Sequence, residues 1–224
     1  MNKKLLVLLP IAMLALAGCN VPAEGGDVTP GGDDSGEQGG GGGGQTSGDK
    51  IVFDFSSRTE HGVEGATDAT KNAPYIDSVV DGGAIAFMQA CITTNNAILL
   101  TEVASRSVTS GNGQGGAYEY QGGFLKFGTG SKFGTLDLTF AKEVKKVTVM
   151  AHDWYKKDAD HATNSNGLSV NEAKQVAPYN EEGTFGKLEY TLADPNTVIN
   201  LASYSTNESA TGARLFVQSI EVEF

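Results

Sequence analysis

The last nine residues, FVQSIEVEF, set Ile220, Val222 and Phe224 on one side of an extended chain and Glu221 and Glu223 on the other. Strand side chains alternate between faces, so such a run turns one face to a core and the other to water. The same period of two recurs in IVFDF from Ile51 and in FGTLDLTF, where Leu136, Leu138 and Phe140 oppose Asp137 and Thr139. It returns in KKVTVMA, GKLEYTL and NTVINLASY, with Gly, Asn, Asp and Ser between the runs. Short strands joined by turns cannot bury their apolar faces singly. An all-β fold is therefore predicted, a β-sandwich of about nine or ten strands. Between Ala84 and Val103 the chain is continuously apolar in IAFMQACI and AILLTEV. Two buried strands broken at Thr93 to Asn96 are expected there, with a helix as the alternative.

The first part of the chain is a different material. Lys3 and Lys4 precede an apolar segment from Leu5 to Leu16, which reaches small residues at Ala17 and Gly18 just before Cys19. This order is that of a secretory signal, and the segment is shorter than the roughly 20 residues a membrane-spanning helix needs. Leu16-Ala17-Gly18-Cys19 resembles the bacterial lipobox. In lipoproteins that bear it, the cysteine takes a diacylglycerol thioether and becomes the first mature residue. The resemblance implies a signal peptide over 1–18, a lipid anchor on Cys19 and a place in the bacterial cell envelope, facing the periplasm or the outside. Residues 19–49 follow as a Gly- and Asp-rich stretch with almost no apolar residue after Val28. Such a composition cannot offset the entropy of ordering, so a disordered tether with an end-to-end distance of roughly 30 Å is expected. The sandwich domain is then 50–224.

With Cys19 lipidated, Cys91 would be the lone cysteine of the mature chain and no internal disulfide could form. In the apolar run AIAFMQACI it reads as a small buried hydrophobe. Loss of Lys3 and Lys4 leaves 14 basic against 27 acidic side chains, a formal charge of −13. A field of that sign repels nucleic acid, so no nucleic-acid partner is expected.

From 118 to 224, the segments GGFLKFGTGSKFGTLDLTFAKEVKKVTVMAHDWY, GLSVNEAKQV, FGKLEYTLA, TVINLASYS and ARLFVQSIEVEF are together similar to galactose-binding-like jelly-roll modules of bacterial secreted and surface proteins. The resemblance is one of strand order and turn placement. It implies a binding module, many of whose relatives take carbohydrate and some protein.

No HExxH, G-x-S-x-G, P-loop or CxxC pattern is present, and GNGQGG at Gly111 to Gly116 reads as a turn or loop rather than a phosphate cradle. The densest cluster of functional groups is HDWYKKDADHATNSNG, from His152 to Gly167. Asp158, Asp160, Asn164 and Asn166 offer the hard oxygens that Ca²⁺ requires. A solvated loop ending in an Asn166-Gly167 turn is the competing reading. His152 and His161 alone do not specify a zinc site.

In strand phase, Val147, Val149 and Ala151 share one face, and Thr148, Met150, His152 and Trp154 the other. A regular strand thus keeps Trp154 out of the main core phase, where its ring can stack on a sugar; a bulge, or a strand covered on both faces, would bury it instead. His152, Tyr155, Tyr118 and Tyr120 are candidate companions, and Tyr179 and Tyr204 weaker ones. The expected function is a non-catalytic surface lipoprotein carrying a carbohydrate-binding module. An envelope protein that binds a protein partner, as adhesin or accessory subunit, is the second reading, and a hydrolase using carboxylates near His152 to His161 the third.

Overall fold

The computed structural model describes residues 49–57, 75–76, 82–115, 118–154, 165–180 and 182–224, with the backbone alone over 112–121. All lie in the unit Gly44–Phe224. The expected signal peptide, Cys19 and the tether up to residue 48 fall outside the described residues.

The alternating runs become β1 (Lys50–Asp54), β2 (Leu100–Arg106), β3 (Val108–Gly115), β4 (Tyr118–Phe127), β5 (Thr135–Asp153), β6 (Asn166–Val170), β7 (Ala173–Val176), β8 (Gly186–Ser205) and β9 (Leu215–Glu223). Helix α1 spans Gly83–Ala90. The hydrogen-bonded order is β3-β4-β9-β5-β8-β6-β7, with β1 on β9 and β2 on β5. Two long strands fold this sheet over on itself. The first part of β5, Thr135 to Thr139, lies between β2 and the Val198–Ala202 stretch of β8, and β6 and β7 continue that layer. Its second part, Lys146 to Ala151, lies between β9 and Gly186–Thr191 of β8, and β9 carries β1 and β4 on its other edge. Register shifts on either side of Val144, next to the exposed residues 141–143, mark the corner. Irregular pairing of this kind bends a strand and lets it change layers.

The core fills the space between the layers. Leu136 and Leu138 from one and Val147, Val149, Ile220 and Val222 from the other belong to a single buried cluster with Phe53 and Phe127. Each such side chain contributes roughly 1.5–3 kcal/mol by leaving water. The predicted all-β sandwich is the observed fold.

Three local expectations are corrected. IAFMQACI forms α1 rather than a strand, because Ala84, Phe87 and Met88 recur at helical spacing and all three are buried. Phe87 stacks on Phe55 at 6.5 Å, so the helix closes one end of the core. Cys91 caps it, 2% exposed, and its carbonyl accepts from Asp54 N. Only the second expected strand of that region exists, as β2. Gly111 to Gly115 is strand rather than loop: the Phe124 ring lies across Gly111, where an added Cβ would stand 2.5 Å from Cε2. Finally, Asn166 and Gly167 do not turn the chain but open β6. The left-handed residues are Asn171 (φ 45°) and Glu172 (φ 72°), joining β6 to β7 in a tight hairpin.

Candidate functional site

The strand phase carries directly into the site. Val147, Val149 and Ala151 enter the core, whereas Met150 and Trp154 pack on a second cluster of Phe124, Phe185 and Phe216 on the outer face of that layer. Cross-strand pairing explains the grouping. His152 stands opposite Phe216, and Trp154 N donates to Arg214 O at 3.2 Å. Arg214, immediately before β9, and Phe216, two residues further on, therefore flank the indole. The Phe216 ring centroid is 5.3 Å from that of Trp154, inclined at 39°, and Arg214 Cζ lies 4.9 Å from the indole centroid. Trp154 is half-buried. A guanidinium over an indole contributes about 0.5–1 kcal/mol when exposed and more when desolvated.

His152 is 0% exposed, so it supports this face from beneath. Its ring lies 6.0 Å from that of Tyr179 and 6.3 Å from that of Phe185, with Nε2 3.2 Å from Asn180 O. Asp153 is also 0% exposed and meets Asn166, one of the residues expected to hold calcium. Its carboxylate accepts from Asn166 N at 2.9 Å and from Asn166 Nδ2 at 2.7 Å. A second contact runs from Asn166 Nδ2 to Trp154 O at 3.3 Å. Asn166 thus spends its amide on clamping the two ends of the 155–164 segment together. Of the other expected calcium ligands, Asp158, Asp160 and Asn164 lie outside the described residues, as do Tyr155 and His161. Among the described residues no three His, Cys, Asp or Glu side chains converge as metal ligands.

The tyrosines scatter. Tyr118 and Tyr120 lie at the start of β4, whose other end, Phe127, pairs with Leu215. At about 3.3 Å per residue their backbone is roughly 23–30 Å along the strand from the Trp154 end. Tyr204, on the other layer, packs its ring over Gly167 with Lys174 Nζ 5.3 Å above, and burial raises its phenol pKa. Tyr190 donates to Leu168 O at 2.6 Å inside the core, where burial raises its pKa strongly.

A pocket that sequence reasoning missed lies nearby. Its cavity is about 250 Å³, lined by Tyr75, Ser105, Arg106, Ser107 and Lys132. Tyr75 is 45% exposed and bridges to Thr109. Ser107 is buried in the left-handed region at φ 56°, and its carbonyl accepts from Gly128 N at 2.8 Å. No sequence signal joins these residues, because Arg106 meets Lys132 only through the β2–β5 register and the Thr129–Lys132 turn.

The fold that holds this site is a jelly-roll β-sandwich. No family model matches the chain, and no curated protein matches it. Among solved structures it is similar to the carbohydrate-binding module TmCBM61 in complex with β-1,4-galactotriose, at 12% identity and TM-score 0.33, over 55% of this chain and 88% of that one. It is also similar to the CBM36-1 domain of a multidomain xylanase from the hindgut metagenome of Trinervitermes trinervoides, at 12% identity and TM-score 0.30, over 55% and 98%. A third is the exo-β-1,3-galactanase of Phanerochaete chrysosporium with galactose, at 12% identity and TM-score 0.32, over 55% of this chain and 29% of that one.

Proposed function

We propose that the protein is a non-catalytic lipoprotein of the bacterial cell envelope, anchored through Cys19, whose β-sandwich binds carbohydrate at the Trp154 face. The observation that carries this reading is the half-buried indole, seated on Phe216 beside the Arg214 guanidinium, outside the main core. The main core is closed without this ring. An indole held in one orientation at low entropic cost offers a flat apolar surface to the C–H face of a sugar, and the neighbouring cation offers donors to its hydroxyls. The clamp of Asp153 on Asn166 supports the reading further, since it steadies the strand end from which the ring projects.

A glycan array with the full-length protein tests it. Selective binding that falls at least about tenfold in Trp154→Ala, with the folded spectrum kept, is the expected outcome. Failure to bind any glycan would end this reading in favour of a protein partner in the envelope. Membrane attachment is tested separately: Cys19→Ala is expected to leave the membrane fraction with the sandwich still folded, and retention there would exclude the lipid anchor.

A further inference from the structure

The pocket and the tryptophan face share a wall. The Arg214 guanidinium lies against Gly130, where an added Cβ would stand 3.0 Å from Nη2, and Gly130 sits in the Thr129–Lys132 turn whose last residue lines the pocket. Arg214, with Trp154, thus adjoins this turn at Gly130, and Lys132 at its end lines the pocket with Arg106 and Tyr75.

This strip is cationic in a chain that is acidic as a whole. The formal net charge is −11, and Lys50, Lys142, Lys146 and Lys187 are each matched to a carboxylate. The side chains of Arg106 and Lys132, both exposed, have no ion pair, hydrogen bond or ring contact among the described residues. Arg214 is engaged with an indole face and has no carboxylate partner among the described residues. Two further features mark the pocket as more than a solvated surface. Ser107 holds a left-handed backbone conformation, a strain that costs on the order of 1–3 kcal/mol and persists where the surroundings impose it. Behind the lining residues, Thr109, the bridge partner of Tyr75 and not itself part of the pocket wall, has a buried hydroxyl with no hydrogen-bond partner among the described residues.

We propose that the ligand is an anionic glycan, a chain whose sugar units carry carboxylates, lying across the Thr129–Lys132 turn. Trp154 and Tyr75 are its stacking rings, and Arg214, Lys132 and Arg106 meet its carboxylates. The assignment rests on the carbohydrate reading above and names the class of sugar. Repulsion from the acidic remainder of the domain does not forbid it, because charges beyond about 8 Å are largely screened at physiological salt while contact pairs are not. Planar guanidinium groups also match carboxylates in a two-point geometry that neutral sugars cannot use.

The test titrates the full-length protein with oligogalacturonate, oligomannuronate and hyaluronan oligosaccharides, each beside its carboxyl-reduced counterpart. At least one uronate is expected to bind about tenfold or more tightly than its reduced form, with the preference shrinking as salt rises. The double variant Arg106→Gln, Lys132→Gln is expected to lose that preference while keeping the wild-type circular dichroism and thermal midpoint, since both side chains are at the surface. Equal binding of acidic and reduced forms overturns the anionic assignment, and a preference that survives the double substitution overturns its placement across this turn; either leaves the carbohydrate reading standing. Binding to phosphatidylglycerol vesicles with none to the uronates overturns it in favour of the membrane surface. Silence toward every uronate, every reduced form and the neutral array removes both readings together.

Discussion

The two faces of the second half of β5 are held by different physics. On the inner face Val147, Val149 and Ala151 are sealed against Ile220, Val222 and Leu188 by apolar burial alone. On the outer face Met150 and Trp154 join a smaller cluster, with His152 and Asp153 buried beside them and held by hydrogen bonds to Asn180 and Asn166. The β5–β9 register shifts between Met150 and Ala151, and from Ala151 to Asp153 every residue is buried. Alternation makes a core, and its local failure makes a site: the strand end is covered on both faces and so presents polar and aromatic groups in fixed positions.

Breaking the inner face is expected to have the largest effect. Leu138→Ala removes a fully buried side chain and should cost about 2–5 kcal/mol in urea denaturation. A loss below about 1 kcal/mol would mean that the two layers are not held by this cluster. The outer face should respond through its polar clamp. Asp153→Ala strips the acceptor from Asn166 N and Nδ2, and about 1–3 kcal/mol is expected. Hydrogen exchange at Asn166 should quicken in that variant, and unchanged protection would contradict the clamp.

The smallest effect belongs to the solvent side of the same layer. Lys146 lies 2.8 Å from Glu189 and 3.7 Å from Glu223, all at least partly exposed. Hydrogen bonds from Lys146 and Lys187 hold the Glu189 carboxyl below its ordinary pKa, and the hydrogen bond with Glu189 raises that of Lys146. The sign follows from linkage. The contribution of Glu189 is present above the ordinary carboxylate value and lost as pH falls through its lowered one; that of Lys146 is present below the ordinary lysine value and lost as pH rises through its raised one. Lys146→Gln should therefore shift the thermal midpoint only slightly at neutral pH, and not at all once Glu189 is protonated. A large shift at neutral pH would show that this exposed network matters as much as the polar clamp.

How far the site could be read in advance varies from residue to residue. The phase of Val147 to Trp154 was legible, because side-chain alternation is a local property of one strand. That Trp154 would find Phe216 and Arg214 was not, since their meeting depends on the register between β5 and β9, strands separated by more than sixty residues of chain. Helix α1 was ambiguous for a related reason. An eight-residue apolar run satisfies strand and helix alike until the shape of the core end chooses between them.

The sequence by itself determined the all-β sandwich and which strand faces turn inward, because burial of alternating apolar side chains leaves few other solutions. The tertiary structure alone decided that Arg214 would cover Trp154, that Asp153 would clamp Asn166, and that Tyr75, Arg106 and Lys132 would meet around one pocket. Those contacts join residues far apart in the chain through strand register and turn geometry, which no single segment encodes.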